Sequence, residues 1–593
     1  MADGGSISGV DRWLSAFESA LAADDVDAAS GLFVEDAFWR DIVAFTWDIQ
    51  TLEGRGQIHT LLKASPAIGR ASKWSRAPDT PATDQDAVIQ FETDAGRGRG
   101  HLRLRDGKCW TLLTCLEELR GFEEPRGRNR PKGVAADPSR PDLNWRRRLE
   151  IEASELGRQT QPYVLIVGAG QGGLALGARL RQLGVPTLIV DRWPQVGDQW
   201  RSRYSSLSLH DPVWYDHLPY MPFPDTWPVY TPKDKIGDWL EGYARTMELV
   251  VWCSTECVAA RFDPAAGAWA VELRRGEETI TVKPSHLVLA TGNAGKPHRP
   301  QFAGEAEFPG PILHSSAYRS GEPFKGQRVA VIGSNNSAHD ICADLVGHGA
   351  EVTMIQRSST HVVRSQTVME LMLAPAYSED ALAAGITTEV ADLLVASMPL
   401  RLQPEVYRPL HEAIAQRDAT FYARLEAAGF MHDFGEDGTG MPLKYLRRAS
   451  GYYIDVGASE LVADGTIRLR SRVGIDRFDG EGVVLTEGSK VVADAVICAT
   501  GFGSMDQWVA ELISPEVAAM VGKVWGYGSG TTGDPGPWEG ELRNMWKPTP
   551  QPGLWFHGGN LAQSRFYSRA LALQLKARHA GLAVQTFKAA PSL

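Results

Sequence analysis

Hydrophobic and polar positions follow different patterns in successive parts of the 593-residue chain. Residues 11–33 place apolar side chains at helical spacing, and the runs 87–94, 98–107 and 108–119 alternate apolar and polar residues as strands do. This order predicts a small α+β unit over residues 1–120. Residues 121–160 are rich in Arg, Pro, Glu and Gly and predict a linker with one helix at 143–156.

From residue 161 onward the pattern changes to short strands rich in Val, Ile and Leu, each followed by glycine and a helical segment. That succession is typical of βαβ units and predicts an α/β fold with parallel sheets. Two such openings, at 163–173 and 328–338, predict two Rossmann-like domains that each bind a dinucleotide.

Composition and charge narrow the classes of partner. The net charge is −11 and no sustained basic run occurs, which argues against nucleic acid and favours a small-molecule partner. The first residues lack the basic and apolar segments of a leader, and no apolar stretch is long enough to cross a bilayer, so we expect a cytoplasmic protein. The six cysteines form no CxxC pair and no metal-ligand spacing, which predicts reduced thiols and no metal site.

The first glycine turn contains every part of a dinucleotide fingerprint in order. Strand 163–167 leads into Gly168, Gly170 and Gly173, a helix follows, and the next strand ends in Asp191. The glycines allow a tight turn, a close approach of the pyrophosphate and close helix packing, and the acid accepts from ribose hydroxyls. The segment Gly197-Asp198-Gln199-Trp200 comes next and has no equivalent in simple dehydrogenases.

The second turn repeats this logic with two departures. Asn335 stands where the second glycine belongs, and we expect the turn to survive because Asn tolerates a left-handed backbone. The next strand ends near Arg357 rather than in an acid, which favours the 2′-phosphate of NADPH over NADH. The other interpretation of Arg357 is a solvated surface arginine.

Between the two turns lies a motif of fixed spacing, FxGxxxHxxxY, formed by Phe308, Gly310, His314 and Tyr318. This motif resembles the signature of flavin-containing monooxygenases. The resemblance implies a structural role for His314, which would link two domains. Two strand-ending ATG segments, at 287–292 and 495–502, are predicted to return the chain to the first sheet.

From residue 161 to about 576 the chain therefore resembles class B flavin monooxygenases, and residues 207–244 are most similar to the plant indole-3-pyruvate type. Residues 11–120 resemble SnoaL-like domains of the NTF2 type. The resemblance implies an FAD domain in two parts (161–322 and 481–593) around an inserted NADPH domain with a helical insertion (323–480). It implies that FAD contacts Gly168, Gly170, Gly172, Gly173, Asp191, Arg192, Gln199, Trp200, His210, Thr291, Gly292, Thr500, Gly501 and Phe502. It implies that NADPH contacts Gly333, Ser334, Asn335, Asn336, Ser337, Ala338 and Arg357.

The implied activity is an NADPH- and O2-dependent monooxygenase that forms a C4a-hydroperoxyflavin and oxygenates a small organic substrate at an N, S or carbonyl-adjacent centre, as in N,N-dimethylaniline monooxygenases. In amine- and sulfur-oxidising relatives an Asn lies near the flavin where this chain has His210 and Asp211, so these two are the candidate catalytic residues. His210 could equally pack against the flavin without a chemical role.

Other functions stay open at this point. Baeyer-Villiger oxygenation of ketones is one, although those enzymes usually carry Trp at the position of Tyr318. A degenerate flavoprotein that acts as a binding or regulatory subunit is another. Residues 197–200 resemble the GGxW-type segment of FAD-dependent monooxygenases, but Asp198 stands where the second glycine is usual, and Asn335 departs from the glycine pattern of the second turn. A disulfide reductase lacks the CxxC that it requires. In the N-terminal unit, Asp36, Arg40, Asp41 and His59 could form a second catalytic pocket. Alternatively Asp36 and Arg40 are surface residues or lie at the rim of the cone-shaped unit, and the unit caps the flavin module or mediates homodimerisation.

Overall fold

The computed structural model describes residues 8–133, 143–293 and 295–588. Its N-terminal part comprises α1 (Gly9–Ala22), α2 (Val26–Gly31), β1 (Phe33–Ile42), β2 (Ile49–Glu53), α3 (Arg55–Ala64), α4 (Pro66–Gly69), β3 (Ser72–Arg76), β4 (Asp86–Glu92), β5 (Gly96–Arg105) and β6 (Lys108–Leu119). The strands form one sheet in the order β2-β1-β6-β5-β4-β3, in which only the β1–β6 pair is parallel. The helical pattern over 11–33 forms two helices, capped by Ser8 and Asp25, and the prediction is wrong only at its end, where Phe33 begins a strand.

The hydrophobic core of this N-terminal unit is filled with aromatic rings. Phe17, Trp39, Phe45, Trp74 and Phe91 stack or meet edge to face, with ring centroids 4.5–6.4 Å apart. All five are almost completely buried. The sheet therefore encloses a packed core.

The next part of the chain comprises α5 (Trp145–Glu155), β7 (Val164–Val167), α6 (Gln171–Gln182), β8 (Thr187–Val190), α7 (Asp198–Arg201), α8 (Lys233–Thr246), β9 (Val251–Trp252), β10 (Thr255–Asp263), β11 (Ala268–Arg275), β12 (Glu278–Val282), β13 (His286–Leu289) and β14 (Lys296–Pro297). Part of the predicted linker, 134–142, lies outside the described residues. The predicted linker helix is α5. Strands β10, β11 and β12 form a small antiparallel sheet of their own.

The remaining elements are β15 (Ile312–His314), β16 (Arg328–Ile332), α9 (Asn336–Gly347), β17 (Glu351–Gln356), β18 (His361–Arg364), α10 (Ser365–Val368), α11 (Glu379–Ala383), α12 (Thr388–Ala396), α13 (Gln403–Arg417), α14 (Ala419–Ala427), α15 (Gly440–Arg448), β19 (Tyr452–Asp455), α16 (Ala458–Ala463), β20 (Arg468–Ser471), β21 (Ile475–Asp479), β22 (Gly482–Leu485), β23 (Lys490–Val492), β24 (Ala495–Cys498), β25 (Phe502–Gly503), α17 (Asp506–Leu512), α18 (Pro515–Val521), β26 (Leu554–Phe556) and α19 (Leu561–His579).

Two parallel sheets organise this region, as the βαβ pattern predicts. The first has the order β26-β13-β7-β8-β9, and the second has the order β15-β24-β16-β17-β20. The central strands β13 and β24 are buried on both faces, as β7 is over most of its length, and they are therefore continuous apolar runs. Among the described helices, none is long and apolar enough to cross a membrane.

One strand assignment from the sequence is wrong. Ala495–Cys498 was expected to rejoin the first sheet, but β24 pairs with β15 and β16 in the second. The strand that returns to the first sheet is β26, which pairs with β13. The second sheet therefore begins before and ends after the predicted limits 323–480 of the inserted domain.

Candidate active site

The first glycine turn joins β7 to α6, and two of its glycines are required by the backbone. Gly168 has φ 112°, and a Cβ there would overlap the carbonyl oxygen of Ala290 on the neighbouring segment. A Cβ on Gly173 would overlap the carbonyl oxygen of Gly168. Gly170 is different, because its backbone is extended and a Cβ would first meet the Gln199 amide at 3.5 Å. The turn is thus closed by Gly168 and Gly173, and Gly170 leaves open space.

Asp191 ends β8 and binds the turn itself. One carboxylate oxygen accepts from the backbone N–H of Ala169 at 2.6 Å, and the other accepts from that of Trp193 at 3.0 Å. Burial raises the pKa of Asp191, although the backbone donors oppose that shift. Arg192 is exposed and lies over the Trp193 ring at 5.8 Å.

Asp198 does not disturb the segment that follows. Gly197 carries the left-handed backbone (φ 94°) that starts α7, so position 198 needs no glycine. The Asp198 carboxylate accepts from the Gln195 backbone N–H and pairs with Arg201 at 3.0 Å.

Several buried donors beside the first turn lack a hydrogen-bond partner among the described residues. They are Gln199 Nε2, Trp200 Nε1, Thr291 Oγ1 and Asn293 Nδ2. Buried donors without acceptors cost free energy, so the surrounding space suits a ligand rich in acceptors. A pyrophosphate and a flavin ring supply such acceptors. The residues present therefore fit FAD.

A third contributor to this space escaped the sequence analysis. The turn after β26, His557-Gly558-Gly559-Asn560, packs on α6, since a Cβ on Gly172 would lie 3.2 Å from Gly558 Cα. Both ring nitrogens of His557 are buried and have no hydrogen-bond partner in the part of the chain that the structure describes. Asn560 caps α19 in a capping box with Gln563. The signal was present in the sequence: a short apolar strand followed by Gly-Gly-Asn and a helix.

The second glycine turn joins β16 to α9 in the same geometry. Gly333 has φ 125°, and a Cβ there would overlap the carbonyl oxygen of Ala499. Asn335 is extended, with φ −93°. The expectation that Asn335 must tolerate a left-handed backbone is therefore wrong, because this position, like Gly170, requires space and no special φ. The Asn335 Oδ1 accepts from the Thr360 hydroxyl at 3.2 Å, and Ser334 also bonds Thr360, at 2.7 Å.

Other residues predicted around the second turn have different surroundings. Asn336 Oδ1 accepts from the Ile454 backbone N–H at 3.0 Å, and Ala338 is buried. Ser337 lies in the first turn of α9. Arg357 is exposed just beyond β17, whereas Gln356 turns inward and bonds the backbone of Met431 in both directions. Arg357 is thus open to a ligand at the edge of the second sheet.

The FxGxxxHxxxY residues hold the second sheet together. Phe308 packs on Phe478, and a Cβ on Gly310 would overlap the Asp494 carbonyl oxygen. Tyr318, fully buried, donates to Asp344 on α9 at 2.5 Å. His314 Nε2 lies 3.0 Å from the carbonyl oxygen of Gly501. Burial lowers the pKa of His314, so the ring is neutral and suited to a structural link.

Thr500, Gly501 and Phe502 lie where the two sheets connect. The Thr500 hydroxyl donates to the His298 carbonyl oxygen at 2.6 Å, and β25 pairs with β14 on the segment that leaves the first sheet. Arg203, from the loop after α7, lies over the Phe502 ring at 5.8 Å. These three residues thus belong to the junction.

His210 and Asp211 are brought close to both halves. His210 Nε2 lies 3.6 Å from Asp340 Oδ2 on α9. Desolvation raises the pKa of Asp211 to about 6, and the neighbouring His210 opposes the shift. Burial and the negative charge of Asp211 raise the pKa of Tyr215 and of Tyr445. Both phenol oxygens accept a hydrogen bond from Asn560 at 3.0 Å. A carboxyl group whose pKa lies close to neutral pH is thus near the N-terminus of α19, the helix that follows β26.

The N-terminal candidates do not form one pocket. Arg40 is buried in an ion pair with Glu541, so its interpretation as a surface residue is wrong. Asp41 is buried too, and accepts from Thr46 and Thr114. Asp36 is exposed and pairs with Arg105, and His59 pairs with Asp27 at 3.1 Å. These side chains point to separate partners.

Comparison with known proteins gives consistent matches. Residues 165–397 match the family described as pyridine nucleotide-disulphide oxidoreductase. Indole-3-pyruvate monooxygenase YUCCA1 of Oryza sativa subsp. japonica is 31% identical over 59% of this chain and 79% of that protein. Probable indole-3-pyruvate monooxygenase YUCCA8 of Arabidopsis thaliana is 32% identical over 58% and 76%. A cyclohexanone monooxygenase structure shares the fold, with a TM-score of 0.51 and 17% identity over 71% of this chain and 88% of that one.

Proposed function

Because the chain belongs to the class B flavin-dependent monooxygenases, a family that uses FAD and NADPH, we propose that it transfers one oxygen atom from O2 to a small organic substrate at the first glycine turn. The overall reaction consumes one O2, one NADPH and one proton, and yields the oxygenated substrate, NADP⁺ and water. FAD, when bound, supplies the redox chemistry and the activation of O2. The protein's own residues bind and orient the cofactors and the substrate, exclude water from the site, and hold protons.

The observation that carries this proposal is the set of unpartnered donors around the first turn. We assign the phosphates of FAD to the α6 N-terminus, where free backbone N–H groups and the helix dipole favour anions. Gln199, Trp200, Thr291 and Asn293 supply the further donors. The turn at Gly333 and the exposed Arg357 are assigned to NADPH and its 2′-phosphate.

Asp198 and Asn335 no longer support a degenerate flavoprotein. Asp198 lies after the glycine that makes the turn, and Asn335 has an extended backbone that any residue can adopt. Tyr318 does not discriminate between substrate classes either, since it is buried against Asp344. The substrate class must therefore be decided by assay.

The N-terminal unit is proposed to be a SnoaL-like domain that supports the flavin module. Its interior is filled by aromatic rings, and its charged residues contact the C-terminal segment. This favours a structural role over a second catalytic pocket. A cytoplasmic location and a homodimer remain proposals.

The test begins with purified, full-length protein loaded with FAD. We expect an absorbance band near ~450 nm typical of bound flavin, its bleaching by NADPH without oxygen, and its return in air. Oxygen uptake and product are then measured with N,N-dimethylaniline, a thioether, a ketone and indole-3-pyruvate. A purified protein that is colourless and does not bind added FAD would contradict the proposal. A bound flavin that NADPH does not bleach would contradict it as well.

A matched pair of glycine variants ties the activity to the turn. Gly168→Ala should abolish FAD binding, because position 168 has a left-handed backbone and no room for a Cβ. Gly242→Ala is the control, since this glycine on α8 has open space around it. Equal FAD affinity in the two variants would refute the placement of FAD at this turn.

A further inference from the structure

The carboxylate of Asp340 is buried at the junction of the two nucleotide-binding halves. Asp340 lies on α9, one helical turn beyond the start of that helix, and its side chain is 9% exposed. One oxygen, Oδ2, accepts from the Tyr204 hydroxyl at 2.6 Å. The other, Oδ1, is buried and has no hydrogen-bond partner within the described ranges. A buried carboxylate so poorly satisfied needs a positive charge nearby.

His210 is the counter-charge that the fold supplies. Its Nε2 lies 3.6 Å from Asp340 Oδ2, and its side chain is 14% exposed. Among residues 8–133, 143–293 and 295–588, no Lys or Arg forms an ion pair with Asp340. His210 stands on the loop after α7, in the part of the chain that follows the first turn, whereas Asp340 lies on α9, the helix that follows the second turn. The pair therefore bridges the two halves.

The groups that face His210 are mainly acidic. Asp211 is its neighbour on the same loop, Asp455 ends β19, and the Tyr453 ring meets the imidazole edge-on at 6.4 Å. Burial by itself lowers the pKa of His210. The nearby carboxylate of Asp340, helped by the charges of Asp211 and Asp455, outweighs burial and raises that pKa above its ordinary value.

A second histidine at this junction provides the contrast. His339, next to Asp340 on α9, stacks on Tyr453 with ring centroids 4.0 Å apart. Burial lowers its pKa to about 4. Its ring is therefore neutral at physiological pH, in contrast to His210, whose pKa is shifted in the opposite direction.

We propose that Asp340 is a positioning residue for His210: it holds the imidazole between the loop after α7 and helix α9 and stabilises the cationic form of the ring. With Nε2 turned to Asp340, Nδ1 makes no hydrogen bond to the described residues and presents a cationic N–H donor. This inference rests on the proposed function, whose overall reaction takes up one proton in each turnover. His210 is the group that holds that proton ready.

The pKa of His210 is measured in the FAD-loaded protein by NMR with ¹³Cε1-labelled histidine, and His210→Gln identifies the resonance. We expect a wild-type pKa above the ordinary ~6.5 and a fall of about one unit or more in Asp340→Asn. Asp340→Glu keeps the charge and should restore the wild-type value. Asp455→Asn removes a more distant charge and should shift the pKa less than Asp340→Asn does.

A second variant covers the case in which Asp340→Asn does not fold. Tyr204→Phe removes the phenol that shares Oδ2, so the His210 pKa should stay or rise. A fall in Tyr204→Phe, an unchanged value in Asp340→Asn, or a wild-type pKa below ~6.5 would overturn the proposal.

The pH profile of flavin reduction and product formation provides the functional readout. The basic limb should move to lower pH in Asp340→Asn by the same amount as the NMR midpoint, and an unmoved profile counts against the assignment. Failure of the proposed function is distinguishable, because the proton on His210 is measured without turnover. A protein that binds no FAD or is not reduced by NADPH fails the first proposal alone.

Discussion

The buried pair of Arg40 and Glu541 gives the most direct test of how the N-terminal sheet is attached. The guanidinium of Arg40 donates from Nε and Nη2 to the two carboxylate oxygens of Glu541, at 2.7 and 2.6 Å. It also donates to the Ala396 carbonyl oxygen at 2.6 Å and to the Tyr567 hydroxyl at 3.0 Å. Both partners of the pair are almost fully buried.

Removing one partner leaves the other charge buried without compensation. We therefore expect Glu541→Gln or Arg40→Met to lower the free energy of unfolding by about 3–5 kcal/mol. The double variant Arg40→Met/Glu541→Gln removes both charges together and should cost far less than the two single changes together. The cycle then shows a coupling of at least ~2 kcal/mol between the two positions.

The assay is urea denaturation followed by tryptophan fluorescence. The exposed pair of Arg70 and Asp94 is the matched control, with both side chains more than half exposed. Asp94→Asn should cost less than about 1 kcal/mol, because water screens such pairs. If Glu541→Gln costs no more than Asp94→Asn, or if the two changes at the buried pair are additive, the reasoning from burial is wrong.

Two further predictions concern pH and the second turn. Burial lowers the pKa of four histidines to about 3–4. These are His217, His286, His339 and His557. The free energy of unfolding that depends on their neutral rings is therefore fully present above pH ~6.5 and is lost as the pH falls. Between pH 7.5 and 5.5 the contribution of each histidine to the free energy of unfolding falls by about 1.4 kcal/mol. The raised pKa of Asp211 acts in the opposite direction and increases the free energy of unfolding by about 0.8 kcal/mol over the same range. Urea midpoints that do not move between these pH values would contradict this account. Asn335→Gly should change the KM for NADPH less than about threefold, since the backbone there is extended; steady-state kinetics showing a tenfold change would show that the bond to Thr360 shapes the site.

Local features of the fold were predictable from the sequence because local rules determine them. Gly168 and Gly333 begin their turns with positive φ, as the strand–glycine–helix pattern indicates. The placement of the second ATG strand was not predictable. A short buried strand ending in Ala-Thr-Gly has the same pattern in either parallel sheet, and only its distant partners, β15 and β16, decide where β24 lies.

The residues around the candidate site were partly predictable. Gln199 and Trp200 carry unpartnered buried donors, as a ligand-binding role requires. Glu541 and Asp340 could not be found, because their partners Arg40 and His210 are far away in the sequence and a single acid gives no periodic signal. Burial of Arg40 also runs against the usual exposure of arginine.

The contacts at the junction have a common physical property: they are directional. The first sheet and the second sheet belong to separate apolar cores, and apolar packing sets no unique angle between two bodies. Hydrogen bonds favour one angle between two bodies, because they weaken steeply when the distance or angle between donor and acceptor changes. Thr500, just after β24 of the second sheet, donates to His298 on the segment that leaves the first sheet, and Tyr204, on the loop after α7, donates to Asp340 on α9. Hydride transfer requires the reacting atoms to lie about 3–3.5 Å apart, and a misplacement of about 1 Å can cost a hundredfold in rate. Buried polar contacts are therefore expected where the two turns must face each other, even though apolar side chains of the same size would bury more area.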